Sequence, residues 1–200
     1  MATATPVGTV KQYLNVFKGR FTEKRKEATT ETVERINKNG DKVHELRFKS
    51  LQGWINKIFV TSGDYGNSIN IDLIDKNGTS RIQLPVGSGY ARNLILRLKN
   101  VDFKEMVDIR PAEIENTDAN DETKVYTNEY MNIYQNNVLV KECTETKKAL
   151  PKPVKGKEGR KTTWSFVDLN NKVIELAEEL GEQKIKPIFA EINLIAGAKD

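Results

Sequence analysis

The chain has 200 residues, 38% of them hydrophobic and 30% charged, and a formal net charge of +4. That length suits one ordinary domain with an appendage, and no apolar run approaches the roughly 20 residues that a membrane-spanning helix needs. Cys143 and His44 are the only residues of their kinds, which excludes an intramolecular disulfide and leaves a zinc site of the usual Cys/His type short of ligands.

Residues 1–8 are small and polar and are expected to fray. The start lacks the basic-then-apolar order of a secretory signal, so a cytoplasmic protein is expected. Val10 to Thr22 alternates loosely through Tyr13, Phe17 and Phe21, which suits a strand. Lys24 to Gly40 is highly charged and ends in an Asn39-Gly40 turn signal, fitting either a hairpin excursion or a basic arm. Val43 to Phe48 alternates again, and Ser50 to Gly53 reads as a brief break.

Trp54 to Thr61 is the next expected strand, with Trp54, Asn56, Ile58 and Val60 on one face and Ile55, Lys57, Phe59 and Thr61 on the other. Ser62 to Gly66 closes a turn, Ile69, Ile71 and Leu73 line one face of the following strand, and Asp75 to Gly78 turns the chain toward Arg81 to Leu84. These three strands read as the opening meander of a small closed β-barrel. From Tyr90 to Leu98, Ala91, Leu94, Ile95 and Leu98 form a helical stripe behind a Ser88 N-cap, expected to plug the barrel's open end. Met106 to Glu115 and Tyr126 to Lys141 complete the strand set.

Residues 144–163 are rich in Lys, Pro and Gly and read as an extended linker. Ser165 to Asp168 resembles a capping box, Phe166 to Leu180 keeps helical spacing, and Gly181 supplies a stop. Ile185 to Ile195 is apolar enough for a strand or docking strip. The expected organisation is thus a domain over 1–143, a linker over 144–163, and a C-terminal helix and strand over 164–200 for docking or self-association.

Charge is unevenly spread. Residues 1–100 hold 17 Lys and Arg against 9 Asp and Glu, whereas residues 101–200 hold 15 against 19. The barrel-like half is therefore the basic half, and it also holds aromatic residues. Cations that follow phosphates, beside aromatic rings that stack on bases, are the ingredients of a single-strand binding surface. Lys57 and Phe59 share a strand face, Tyr65 sits at the adjoining turn, and Arg81 neighbours them. Trp54, Arg47 and Lys49 are the second choices. Trp54 suits a core position as well as a stacking one, Tyr65 could brace its turn, and Tyr90 suits the core. Tyr126, Tyr130 and Tyr134 fall on one strand face, either as a second stacking surface or as an interface. No Gly-rich phosphate loop occurs and Cys143 lies in no nucleophile signature, so nothing argues for an enzyme or a cofactor.

The segments LQGWINKIFVTSGDYGNSINIDLID, RIQLPVGSGYARNLILRLKNVDF and NIYQNNVLVKE resemble single-stranded DNA-binding proteins of tailed bacteriophages, particularly those of crAss-like phages. The likeness covers roughly residues 43–143 and consists of strand patterning and turns such as Asp64-Tyr65-Gly66. It implies an OB-fold, non-catalytic coating of single-stranded DNA in the host cytoplasm, and cooperation with phage replication proteins. The end, IFAEINLIAGAKD, lacks the strongly acidic tail common in such proteins, which favours self-association (a homo-oligomer) or intramolecular docking over recruitment through a tail.

The resulting expectation is a mainly β chain with α elements. Its form is an OB-fold-like five-stranded antiparallel barrel with extra strands, a barrel-capping helix and a C-terminal helix. Its function would be sequence-independent binding of single-stranded DNA, away from any membrane. The rival is a structural or protein–protein interaction module of a phage assembly. An enzyme using carboxylates such as Asp72 and Asp75 is the more distant alternative.

Overall fold

A computed structural model describes residues 10–188 except 38, 119–120 and 159–160. Ten strands build one sheet: β1 (Val10–Phe17), β2 (Arg20–Arg25), β3 (Val33–Ile36), β4 (Lys42–Phe48), β5 (Leu51–Gly63), β6 (Gly66–Asp75), β7 (Gly78–Pro85), β8 (Val107–Asp118), β9 (Asp121–Gln135) and β10 (Val138–Leu139). Their spatial order is β10-β9-β8-β5-β6-β7-β1-β2-β4-β3. The β1–β7 pairing is parallel and the others are antiparallel.

The β5–β6–β7 meander is present as expected, but the barrel is not. The sheet is open and mixed. After β7 the sheet continues through a parallel β1 into β2, β4 and β3, instead of returning to β8, so β10 and β3 remain separate edges. The sheet does curl. The turn between β1 and β2 reaches β8, where the Gly19 N–H donates to the Tyr90 hydroxyl at 3.0 Å and Tyr90 donates to Glu113 at 3.0 Å. That contact is made through a turn and a side chain, with no ladder between β2 and β8.

Local chemistry explains several departures. Lys18 and Gly19 both have positive φ (47° and 66°), so Val10 to Thr22 is two strands joined by a two-residue turn. Twist of that hand matches the flanking strands, which is why such turns need two left-handed residues. Leu51 to Gly53 continues β5 rather than breaking it. Within β5 the pairs Ile55↔Leu73 and Lys57↔Asp72 are consecutive, so Asn56 is an extra, unpaired residue. A bulge of one residue reverses the side-chain alternation beyond it. Ile55 and Ile58 therefore both enter the core, at 1% and 4% exposure, and Trp54 joins Lys57 and Phe59 on the opposite face.

The core lies on one side of the sheet. Leu14, Phe21, Ile55, Ile58, Ile71 and Ile82 meet two helices there. Helix α1 (Gly89–Leu98) is capped by Ser88, whose hydroxyl accepts from the Ala91 N–H at 3.1 Å, and it buries Leu94, Ile95 and Leu98. It is a layer over the sheet, not a plug in a barrel end. Cys143 opens a short helix α2 (Thr144–Ala149), and a two-stranded hairpin, β11 (Val154–Glu158) with β12 (Lys161–Ser165), follows. The expected linker thus contains regular structure.

Helix α3 (Val167–Glu179) starts at Phe166 without a side-chain cap, so the expected capping box does not form. The helix does not stop at Gly181. It runs through a π-helical turn, Leu180–Ile185, to residue 188, a span of 22 residues. The expected strand from Ile185 begins as helix, and its part beyond 188 lies outside the described residues. Val173, Leu176, Ala177 and Leu180 dock α3 on the same core. Among the described residues, no helix is long and apolar enough to cross a membrane.

Candidate functional site on the open face

The strand registers assign the face opposite the core. Trp54, Lys57 and Phe59 of β5, Asp72 of β6, Arg81 of β7 and Tyr13 of β1 share it, because Lys57 pairs with Asp72, Asp72 with Arg81 and Arg81 with Tyr13. It continues across Asn15, Thr22 and Arg47 in one direction. In the other it reaches Asp108 and Tyr134, through the pairs Gln52↔Asp108 and Asp108↔Tyr134. Neither α1 nor α3 covers this face, since both contribute to the opposite core.

Aromatic rings and guanidinium groups meet at its centre. Arg81 holds Asp72 with two hydrogen bonds, 2.7 Å from Nε and 2.9 Å from Nη2. Its guanidinium lies 4.8 Å from the Phe59 centroid and 5.7 Å from that of Tyr13. Lys57 Nζ approaches Phe59 at 4.8 Å, so this ring has a cation from each of two strands. Those contacts are electrostatic attractions to the ring's negative face. Asp72 is 5% exposed, and its hydrogen bonds are the main cause that raises the Arg81 pKa above the ordinary value.

The same unit occurs twice more. Near the β3 edge, Glu45 is 2% exposed and bonds Arg35 Nε at 2.6 Å, with Arg47 at 3.7 Å. Arg35 lies 4.8 Å from the Phe17 ring. Near the β9 edge, Asp108 bonds Arg110 at 2.6 Å and Arg110 lies 4.5 Å over Tyr134. Hydrogen bonding to Asp108 raises the Arg110 pKa. In each unit a carboxylate on the sheet fixes an arginine against an aromatic ring. A guanidinium held this way keeps its plane available for stacking while its rotamer freedom is already lost.

Of the residues singled out from sequence, Lys57, Phe59, Arg81, Trp54 and Arg47 come together on this face. Lys57 is exposed, Phe59 half-buried, and Trp54 44% exposed. Tyr65 is fully exposed at the β5–β6 turn, six residues beyond Phe59 and so about 20 Å along the strand. Lys49 is exposed in the bend between β4 and β5. Tyr90 is in the core at 4% exposure. Sequence reasoning missed Tyr13, Phe17, Arg35 and Arg110. Their alternation with buried neighbours was visible, but only the pairing of β1 with β7, and of β3 with β4, places them beside the others.

Charge on the face is partly spent internally. Arg81, Arg35 and Arg110 each share a carboxylate, whereas Lys57 has no carboxylate partner among the described residues. Lys57 is therefore placed to meet an outside anion. Among the described residues, no group of three His, Cys, Asp or Glu side chains is placed to hold a metal ion. No protein-family model, curated protein or solved structure matches the chain.

Proposed function

We propose that the open face binds single-stranded DNA with little sequence preference and without catalysis, serving phage DNA replication or recombination. The observation that carries this reading is the row of aromatic rings, Tyr134, Phe59, Tyr13 and Phe17, each backed by a fixed guanidinium on a face that α1 and α3 leave clear. Bases stack on such rings at roughly 1–3 kcal/mol each, and every base has a face to offer. Lys57 supplies an anion contact beside the rings, and the basic first half of the chain adds to the attraction. The resemblance to phage single-stranded DNA-binding proteins agrees with this function, but the closed barrel it implied is absent, so the reading rests on the face.

Titrating an oligo-dT strand while following tryptophan fluorescence at about 50 and about 200 mM salt tests it. Salt-sensitive binding supports the proposal, and the absence of binding at the lower concentration contradicts it.

A second reading, an interaction module that holds another protein or a second copy, has its own observation. Trp164, Phe166 and Val167 are 56%, 41% and 62% exposed in succession where the β11–β12 hairpin meets α3. A stable oligomer in sizing experiments, combined with function that survives Phe59→Ala and Lys57→Glu, would favour that reading.

A further inference from the structure

The open face ends, on its β9 side, in a cleft of about 360 Å³ between β5, β8 and the turn after β9. Its apolar walls are Trp54, Met106 and Tyr134, and its polar groups include Gln52, Glu105 and Asp108. Trp54 and Met106 are each 44% exposed, and the Tyr134 ring is backed by Arg110. The volume lies in the range of small-molecule sites, and rings flanking a slot suit a flat heterocycle.

The polar rim is neutral at Gln52, Asn136 and Asn137 and acidic at Glu105 and Asp108, with no basic side chain among its lining residues. Two carboxylates line the cleft, so a phosphate is disfavoured there and a hydrogen-bond donor is favoured. Asp108 is also unevenly used. Arg110 Nε, Arg110 Nη2 and Gln52 Nε2 all donate to Oδ2, at 3.1, 2.6 and 3.3 Å, whereas buried Oδ1 has no hydrogen-bond partner. A buried acceptor left unpaired is costly. Asp108 lines the cleft as an acceptor-only group with lone-pair capacity left beyond these three donors.

We infer that this cleft takes one nucleobase of the bound strand, stacked between Trp54 and Tyr134, and reads it through Asp108 as a base bearing an exocyclic amino group. Adenine, cytosine and guanine have that donor, while uracil and thymine lack an exocyclic amino group and hold their N3–H between two carbonyl oxygens that a carboxylate repels. The inference rests on single-strand binding by the open face, and adds one base-selective position to an otherwise tolerant surface.

Cytosine and uracil make the cleanest comparison, because their rings are the same size and the 4-amino group is replaced by a carbonyl. The experiment uses the full chain with Trp164→Phe, which leaves Trp54 as the sole tryptophan. Oligo-dC and oligo-dU of equal length are titrated at neutral pH. Oligo-dC is expected to quench Trp54 and bind about tenfold more tightly, the scale of one hydrogen bond to a charged group. Asp108→Asn is expected to bring the ratio of the two affinities to about one, and that ratio is the readout whatever the variant does to binding of either strand. Equal, salt-sensitive binding of both strands overturns the base-reading inference and leaves the open-face proposal standing. A preference that survives Asp108→Asn likewise overturns the inference. Binding of neither strand overturns both. The comparison of the two strands needs no change at Asp108, so it decides the matter even where that variant fails to fold.

Discussion

Phe59 lies between Lys57 and Arg81, and the three side chains do different work. Phe59 is on the open face, so Phe59→Ala is expected to leave folding intact while weakening oligo-dT binding by roughly 1–3 kcal/mol, or about 5- to 150-fold. A fluorescence titration measures the loss. Arg81 is tied to the buried Asp72, so its removal acts first on stability. Arg81→Ala strands a carboxylate that is 5% exposed, and a cost of about 3 kcal/mol in urea unfolding is expected. Tyr90 provides a pH signature. Burial, first of all, raises its pKa above the ordinary value of about 10. The folded state then holds the phenolic proton where the unfolded state has released it. This contribution is complete below pH about 10 and is lost as pH rises toward the folded pKa. Urea midpoints should therefore fall above pH about 10, with a shallower fall in Tyr90→Phe.

Helix α3 crosses β5 with Gly181 against the backbone, because a Cβ at that position would collide with the Ile58 carbonyl oxygen. The π turn, Leu180–Ile185, occurs at this crossing. Gly to Ala within a helix ordinarily stabilises by about 1 kcal/mol. Here Gly181→Ala is expected to have the opposite sign, lowering the urea midpoint as the helix is lifted from β5 at Ile58, and equilibrium unfolding checks it. Nothing in the local pattern distinguishes Gly181 from a helix stop, since its requirement comes from β5. Elements governed by neighbouring residues were legible: the meander turns, the Ser88 cap and the apolar stripe of α1. Asn56 was not, because a bulge is defined by the partner strand, and reading β5 as an unbroken alternation put Trp54 and Phe59 on opposite faces. The β11–β12 hairpin was hidden for a related reason. Val154, Lys155, Thr163, Trp164 and Ser165 are all exposed, so these positions show none of the alternation that a half-buried strand displays.

The molecule is layered, with a large open sheet, helices on one face and aromatic–arginine–carboxylate units on the other. The parallel β1–β7 pairing carries the sheet past the point where a barrel would close. Long-range pairing of this kind leaves no mark in the spacing of residues within a strand, so a meander alone invited the barrel. The candidate site was half legible on the same grounds. Lys57, Phe59 and Arg81 lie in consecutive strands of that meander, whereas Tyr13 and Phe17 join them only through the β1 pairing. The central claim is that this uncovered face holds a single DNA strand by stacking and phosphate contact. Its most direct test is an oligo-dT titration of the unaltered chain beside the Lys57→Ala/Phe59→Ala double variant, at about 50 and about 200 mM salt. The account predicts that the unaltered chain binds and loses affinity between the two conditions, by about 2.6-fold for each phosphate contact that it makes. It also predicts that the double variant, still folded, binds more weakly and with a shallower salt slope. Equal affinity for the two proteins, or no binding by the unaltered chain at the lower salt, would contradict it.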